Sequence, residues 1–130
     1  MPKNTSNTRI PNIPAIESLQ RMLPLEYRWL IYDVWGIHDF TAGGVQSGTN
    51  FLRRMQRYGD FDDLQSFARV AQMVNYEGHK SIFEAIYTNG SNGILMWMSQ
   101  SAWPSMVWQT YDYYYDTNAG YFALKKQINR

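Results

Sequence analysis

The feature that most constrains this chain is one short run, Gly93-Ile94-Leu95-Met96-Trp97-Met98, apolar throughout and set between the turn-forming Asn89-Gly90-Ser91-Asn92 and Ser99. Its length and flanks predict a strand near 93–98, and the lack of polar alternation predicts that both of its faces are covered. Strands covered on both faces belong mostly to parallel sheets sandwiched by helices, and a parallel strand needs a neighbour. The rest of the 130 residues offers no good second strand. One buried strand among amphipathic helices therefore predicts the last part of an α/β domain whose other strands lie upstream.

The helices are read from spacing. Residues 1–14 hold three of the five prolines and several small polar residues, which predicts an extended segment. Ile16, Leu19 and Leu23 repeat at helical spacing between Pro14 and Pro24, and a second helix is expected from Leu25 to about Val34. Trp35 to Gly48, with four glycines and no sustained period, reads as a loop. A helix over about 47–58 follows, with Gly59 placed to end it in the left-handed conformation. Asp60 is expected to cap the next and clearest helix, whose stripe runs through Leu64, Phe67, Ala68, Ala71, Val74, Ile82, Phe83 and Ile86 to a stop at Asn89-Gly90. Gly78 inside it should cost about 1 kcal/mol relative to Ala unless another backbone packs closely there. A last helix over about 118–128 turns Tyr121, Leu124 and Ile128 inward.

Composition removes several function classes. Aromatics at 16% and charged residues at only 18% argue against disorder. Twelve basic against eleven acidic residues give a net charge of +1, too little to gather nucleic acid or an anionic membrane surface. The longest apolar stretch is six residues, where a membrane span needs about 20. There is no cysteine, hence no disulfide framework and no thiolate metal site. No HExxH spacing, phosphate loop or GxSxG turn is present, so no metal and no cofactor is expected. Residues 1–14 lack the apolar core of a secretory signal.

In a parallel barrel the functional residues lie at the C-terminal end of a strand and in the loop that follows. That rule selects Trp97, Ser99, Gln100, Ser101 and Trp103. Strand alternation puts Leu95, Trp97 and Ser99 on one side, so an indole and a hydroxyl face one mouth. A flat indole beside small hydrogen-bonding groups suits a sugar, whose ring has apolar C–H faces and a hydroxyl rim. The competing reading is that these rings, with Trp108, Tyr111, Tyr113, Tyr114 and Tyr115, simply close the end of a barrel. Among the carboxylates, Asp60, Asp62 and Asp63 sit at a helix start and Glu77 and Glu84 mid-helix. Asp112 and Asp116, among the tyrosines, are the carboxylates less easily set aside, although hydrogen bonds to tyrosine hydroxyls explain them as well. His38-Asp39 could act as a proton-transfer pair only if other groups converged on it, and His79 is expected on a helix surface.

Gly93 to Gln109, read with Tyr111-Asp112-Tyr113-Tyr114 and Gly120 to Lys126, resembles the end of the catalytic barrel in glycoside hydrolase family 2. The similar branch is that of the exo-β-D-glucosaminidases and β-mannosidases. Ile13-Pro14, Glu17-Ser18-Leu19, Met22-Leu23-Pro24, Trp35 to Phe40 and Asn75-Tyr76-Glu77 extend the likeness upstream. The resemblance implies a C-terminal fragment of a TIM (β/α)8 barrel, an α/β fold, running from after strand seven through strand eight and the last helix, with residues 15–130 as the partial catalytic domain. It implies a retaining β-glycosidase acting on an oligosaccharide, with the rest of the barrel and the β-sandwich domains of a parent chain as partners. The acid/base and the nucleophile of such an enzyme would both precede Met1, so no catalytic residue is carried over and this stretch alone is expected to be inactive. Trp97 matches a tryptophan that floors the terminal-sugar subsite, Ser99 and Gln100 match polar side chains near that sugar, and Trp103 matches a rim residue. His38 and Asp39 match a motif of the branch to which their chemistry alone assigns no role, and they are grouped with the substrate-binding residues. The alternative is a self-sufficient helical module that binds a sugar or protein without catalysis.

Overall fold

The computed structural model describes residues 6–8, 10, 12–40, 45–106 and 108–129. In order these form β1 (Ser6–Thr8), α1 (Ile16–Met22), α2 (Asp33–Ile37), α3 (Val45–Met55), α4 (Leu64–Asn89), β2 (Ile94–Met96) and α5 (Ala119–Ile128), with 3-10 turns at Leu25–Tyr27 and Gln56–Tyr58. The architecture is mostly helical. Among the described residues no helix is long and apolar enough to cross a membrane.

The 26-residue α4 is the spine. It opens at Asp63 and not at the expected Asp60, because only Asp63 closes a reciprocal pair. Its carboxylate accepts the Ser66 N–H at 2.6 Å, and the Ser66 hydroxyl accepts the Asp63 N–H at 3.2 Å. The helix stops as expected at Asn89-Gly90, where Gly90 adopts φ 61°, ψ 37°. Gly59 also has positive φ, but at φ 131°, ψ 172° it lies in an extended basin open essentially to glycine, not in the expected left-handed helical one.

Leu64, Phe67, Ala68, Ala71 and Val74 line the buried face of α4 as their spacing predicts, while Ile82, Phe83 and Ile86 are only half-buried. The core gathers around Phe67, whose ring centroid lies 5.2 Å from Trp35, 5.9 Å from Trp29, 5.6 Å from Phe61 and 6.2 Å from Phe40. The helix expected over 25–34 does not form. The Trp35 indole N–H takes the Tyr27 carbonyl at 2.8 Å, an acceptor that a continuing α-helix would have used, and the fully buried indole holds the break in place. The segment expected as a loop from Trp35 to Gly48 is shorter, because α2 enters it from one side and α3 from the other; residues 41–44 lie outside the described residues.

A partner for the apolar strand does exist. Ser6, Asn7 and Thr8 pair in parallel with Ile94, Leu95 and Met96. The expectation of two covered faces is corrected as well: Leu95 is 64% exposed and Ile94 and Met96 are half-buried, since a two-stranded sheet leaves one face open among the described residues.

The last helix starts where expected, with the Asn118 side chain accepting the Gly120 N–H at 3.0 Å. Its buried residues, however, are Gly120, Ala123 and Gln127, while Ile128 is exposed. Small residues face α4 because the two helices nearly touch: a Cβ on Gly120 would sit 2.5 Å from Asn75 Oδ1 and 2.5 Å from His79 Nδ1. His79 is accordingly buried and not on a helix surface, its Nδ1–H donating to the Asn75 carbonyl at 2.8 Å. Gly78 faces a close neighbour too, the Ile10 side chain, with its Cγ2 3.0 Å from where a Cβ would lie.

Candidate functional site

The site residues are placed by what holds the stretch after β2. Exposure alternates from Ile94 to Gln100, leaving Leu95, Trp97 and Ser99 outward, with Trp97 53% exposed. The Trp97–Met98 peptide bond is cis. The chain then loops round and runs alongside itself in the same direction: the Ser99 carbonyl accepts the Thr110 N–H at 3.1 Å and the Tyr111 N–H at 2.8 Å, and the Met98 N–H donates to the Trp108 carbonyl. Gln100 turns toward the tyrosine loop, its amide donating to the Asp112 carbonyl at 3.3 Å.

Asp112 organises that loop. Its carboxylate, 2% exposed, accepts the Tyr114 N–H at 2.8 Å and the Asp116 N–H at 3.0 Å, so it serves main-chain donors rather than the tyrosine hydroxyls expected from sequence. Arg21 of α1 stacks on the Tyr114 ring, 3.9 Å from guanidinium carbon to centroid. Burial pushes the Tyr114 hydroxyl above its ordinary pKa, and Arg21 opposes that shift. Arg21, Gln100, Ser101 and Tyr113 to Tyr115 line an open depression of about 430 Å³. Neither Arg21 nor the Asp112 turn was singled out from sequence for these roles. The Asp-x-Tyr spacing is a readable turn signal, while the Arg21 contact joins residues too far apart to be read.

His38, Asp39 and Trp103 come together. The Trp103 indole N–H donates to Asp39 Oδ2 at 2.7 Å, His38 Nδ1 lies 2.9 Å from the Pro104 carbonyl, and the Met106 N–H donates to the His38 carbonyl at 2.8 Å. The aromatic core explains why the 38–39 pair is in place. Trp35 and Phe40, 5.4 Å apart and perpendicular, bracket the end of α2. There the Phe40 N–H returns to the Trp35 carbonyl at 3.1 Å and the Asp39 N–H to the Gly36 carbonyl at 3.0 Å. This is a Schellman closure, with Asp39 at φ 64° in the position that glycine usually fills.

The described carboxylates are committed elsewhere or exposed: Asp63 caps α4, Asp39 holds an indole, Asp112 holds a turn, and Glu77 lies 3.8 Å from Lys80. No group of three metal-ligating side chains occurs among the described residues.

No family model matches the chain. Its fold is that of a stretch of the β-D-mannosidase of Dictyoglomus thermophilum, with a TM-score of 0.78 at 17% identity over 95% of this chain and 15% of that one. The exo-chitosanase of Amycolatopsis orientalis superposes with a TM-score of 0.69 at 28% identity, over 95% of this chain and 16% of that one, and a variant of it has been solved in complex with PNP-β-D-glucosamine. In sequence, an exo-β-D-glucosaminidase of the same organism is 31% identical over 135 residues, covering 95% of this chain and 13% of the enzyme. The class these matches define is the large glycoside hydrolases, of which this chain matches one segment. More narrowly, the chain is a relative of the exo-β-D-glucosaminidase and β-mannosidase branch of glycoside hydrolase family 2. It spans only 13% to 16% of the length of the three enzymes just described.

Proposed function

We propose that this chain is the end of a (β/α)8 catalytic barrel, from after strand seven through strand eight and the last helix, in a retaining β-glycosidase that removes terminal β-linked glucosaminide or mannoside residues from oligosaccharides. The observation that carries the reading is Trp97, half-exposed directly after a parallel strand in a chain with these relatives. In such a site the indole face packs on the C–H face of the terminal sugar, Ser99 and Gln100 hydrogen-bond its hydroxyls, and Trp103 walls the rim. His38 and Asp39 act from behind that rim, where they hydrogen-bond the loop itself.

A retaining mechanism uses two carboxyl groups roughly 5–5.5 Å apart, one protonating the leaving oxygen and the other attacking the anomeric carbon. This stretch contributes neither. Both come from other parts of a longer chain, whose remaining strands cover the open face of β2 and whose β-sandwich domains complete the protein. Hydrolysis of PNP-β-D-glucosaminide and PNP-β-D-mannoside by the full-length protein, with the anomer first released read by proton NMR, tests the proposal. Release of the β-anomer is expected. Saturable sugar binding without turnover, or release of the α-anomer, would refute it.

A further inference from the structure

Asp39 stands where its residue type is sterically disfavoured. A non-glycine residue is disfavoured in the left-handed region, with Asp and Asn among the better tolerated, and glycine would close α2 without that cost. The side chain that tolerates this position ends in a carboxylate 2.7 Å from the Trp103 indole nitrogen, 64 residues away in sequence. The two His38 contacts fix only main-chain atoms of the loop, at Pro104 and Met106. The Asp39 contact alone among these grips the indole, and Trp103 is itself 52% exposed, so packing does little to set its ring angle.

We propose that Asp39 is a positioning residue: through a charge-assisted hydrogen bond to the indole N–H it sets the plane that Trp103 presents to the sugar, while His38 anchors the loop backbone beneath. The inference rests on the glycosidase reading above and gives Asp39 a role that needs no sugar contact. A rim aromatic binds ground state and transition state alike, so its loss appears in KM more than in kcat.

The test uses the full-length protein and PNP-β-D-glucosaminide, with variants Asp39→Gly, Asp39→Asn and Trp103→Phe. Asp39→Gly removes the carboxylate while relieving the backbone, so folding is retained. Its KM is expected to rise about three- to tenfold with kcat nearly unchanged, and Asp39→Asn, which keeps an acceptor oxygen, should recover most of the loss. Trp103→Phe keeps a ring but removes the donor, so adding Asp39→Gly to it should change nothing further. In protein labelled with 5-fluorotryptophan, the resonance missing from Trp103→Phe should shift in Asp39→Gly even without substrate. An unmoved resonance, or fully additive effects of Asp39→Gly and Trp103→Phe, overturns the positioning role alone. A wild-type protein that neither binds nor hydrolyses the glycoside overturns the glycosidase reading and this role with it.

Discussion

Replacing Gly120 by Ala is the sharpest probe of how α4 and α5 meet. The new methyl group would sit 2.5 Å from Asn75 Oδ1, 2.5 Å from His79 Nδ1 and 2.6 Å from His79 Cε1, in a region where Asn75 is fully buried and His79 nearly so. Helix propensity favours the change by about 1 kcal/mol or less. Against it stand overpacking of about 1–3 kcal/mol and the strained or broken Gly120 N–H to Asn75 bond, worth about 1–3 kcal/mol where the acceptor stays buried. The net expectation is about 1–6 kcal/mol of local destabilisation, or a roughly 5- to 25,000-fold faster exchange of the protected amides of α5 and the middle of α4. Hydrogen exchange read by mass spectrometry on the full-length protein measures this directly. Gly93→Ala is the control, because its Cβ meets nothing within 4 Å. Equal protection in Gly120→Ala and Gly93→Ala would refute the close approach of the two helices.

Four further outcomes are expected. On the proposed glycosidase reading, Trp97→Ala should lower kcat/KM by about 2–4 kcal/mol of transition-state binding without moving the melting temperature, since the ring is 53% exposed; unchanged kinetics would end the proposal that it is the sugar platform. Asp112→Ala removes the acceptor of two main-chain N–H groups and should cost about 1.5–3 kcal/mol, seen as faster amide exchange at Tyr114 and Asp116, and undisturbed protection there would contradict it. Burial holds the His79 imidazole below its ordinary value of 6.5, with the bond to the Asn75 carbonyl opposing that shift. The folded state therefore binds the proton less readily than the unfolded one, so the contribution is present above about pH 6.5 and is lost as pH falls toward the native value; a stability profile identical in His79→Gln would refute this. Expressed alone, residues 1–130 should self-associate through exposed apolar side chains such as Leu95, Tyr87 and Phe122, and a monodisperse, cooperatively melting monomer in sedimentation velocity would contradict that expectation.

What sequence reveals here follows from range. The stop of α4 at Asn89-Gly90, its Leu64-to-Val74 stripe and the strand at 94–96 are written in a few adjacent residues, and each is found where spacing puts it. The broken helix over 25–34 was hidden because its cause is one indole reaching back eight residues. His79 and the inward face of α5 were misread for a shared reason: the helices approach through a glycine, and hydrophobicity says nothing about where two backbones come close. For the candidate site, the type and order of Trp97, Ser99, Gln100 and Trp103 were legible. That His38 and Asp39 support the Trp103 loop was not, because the contacts join residues 64 and 66 positions apart.

The pairing of β1 with β2 joins positions almost ninety residues apart, which matters while the chain is still being made. At roughly 5–20 residues per second, Ser6 to Thr8 wait several seconds for Ile94 to Met96 to be synthesised. Helix α4, held by closer contacts along the chain, can be in place first. The waiting strand is Ser-Asn-Thr, small and polar, with little in its side chains to recruit a neighbouring nascent chain. The apolar member of the pair is the one that emerges last, when its partner is already there to receive it.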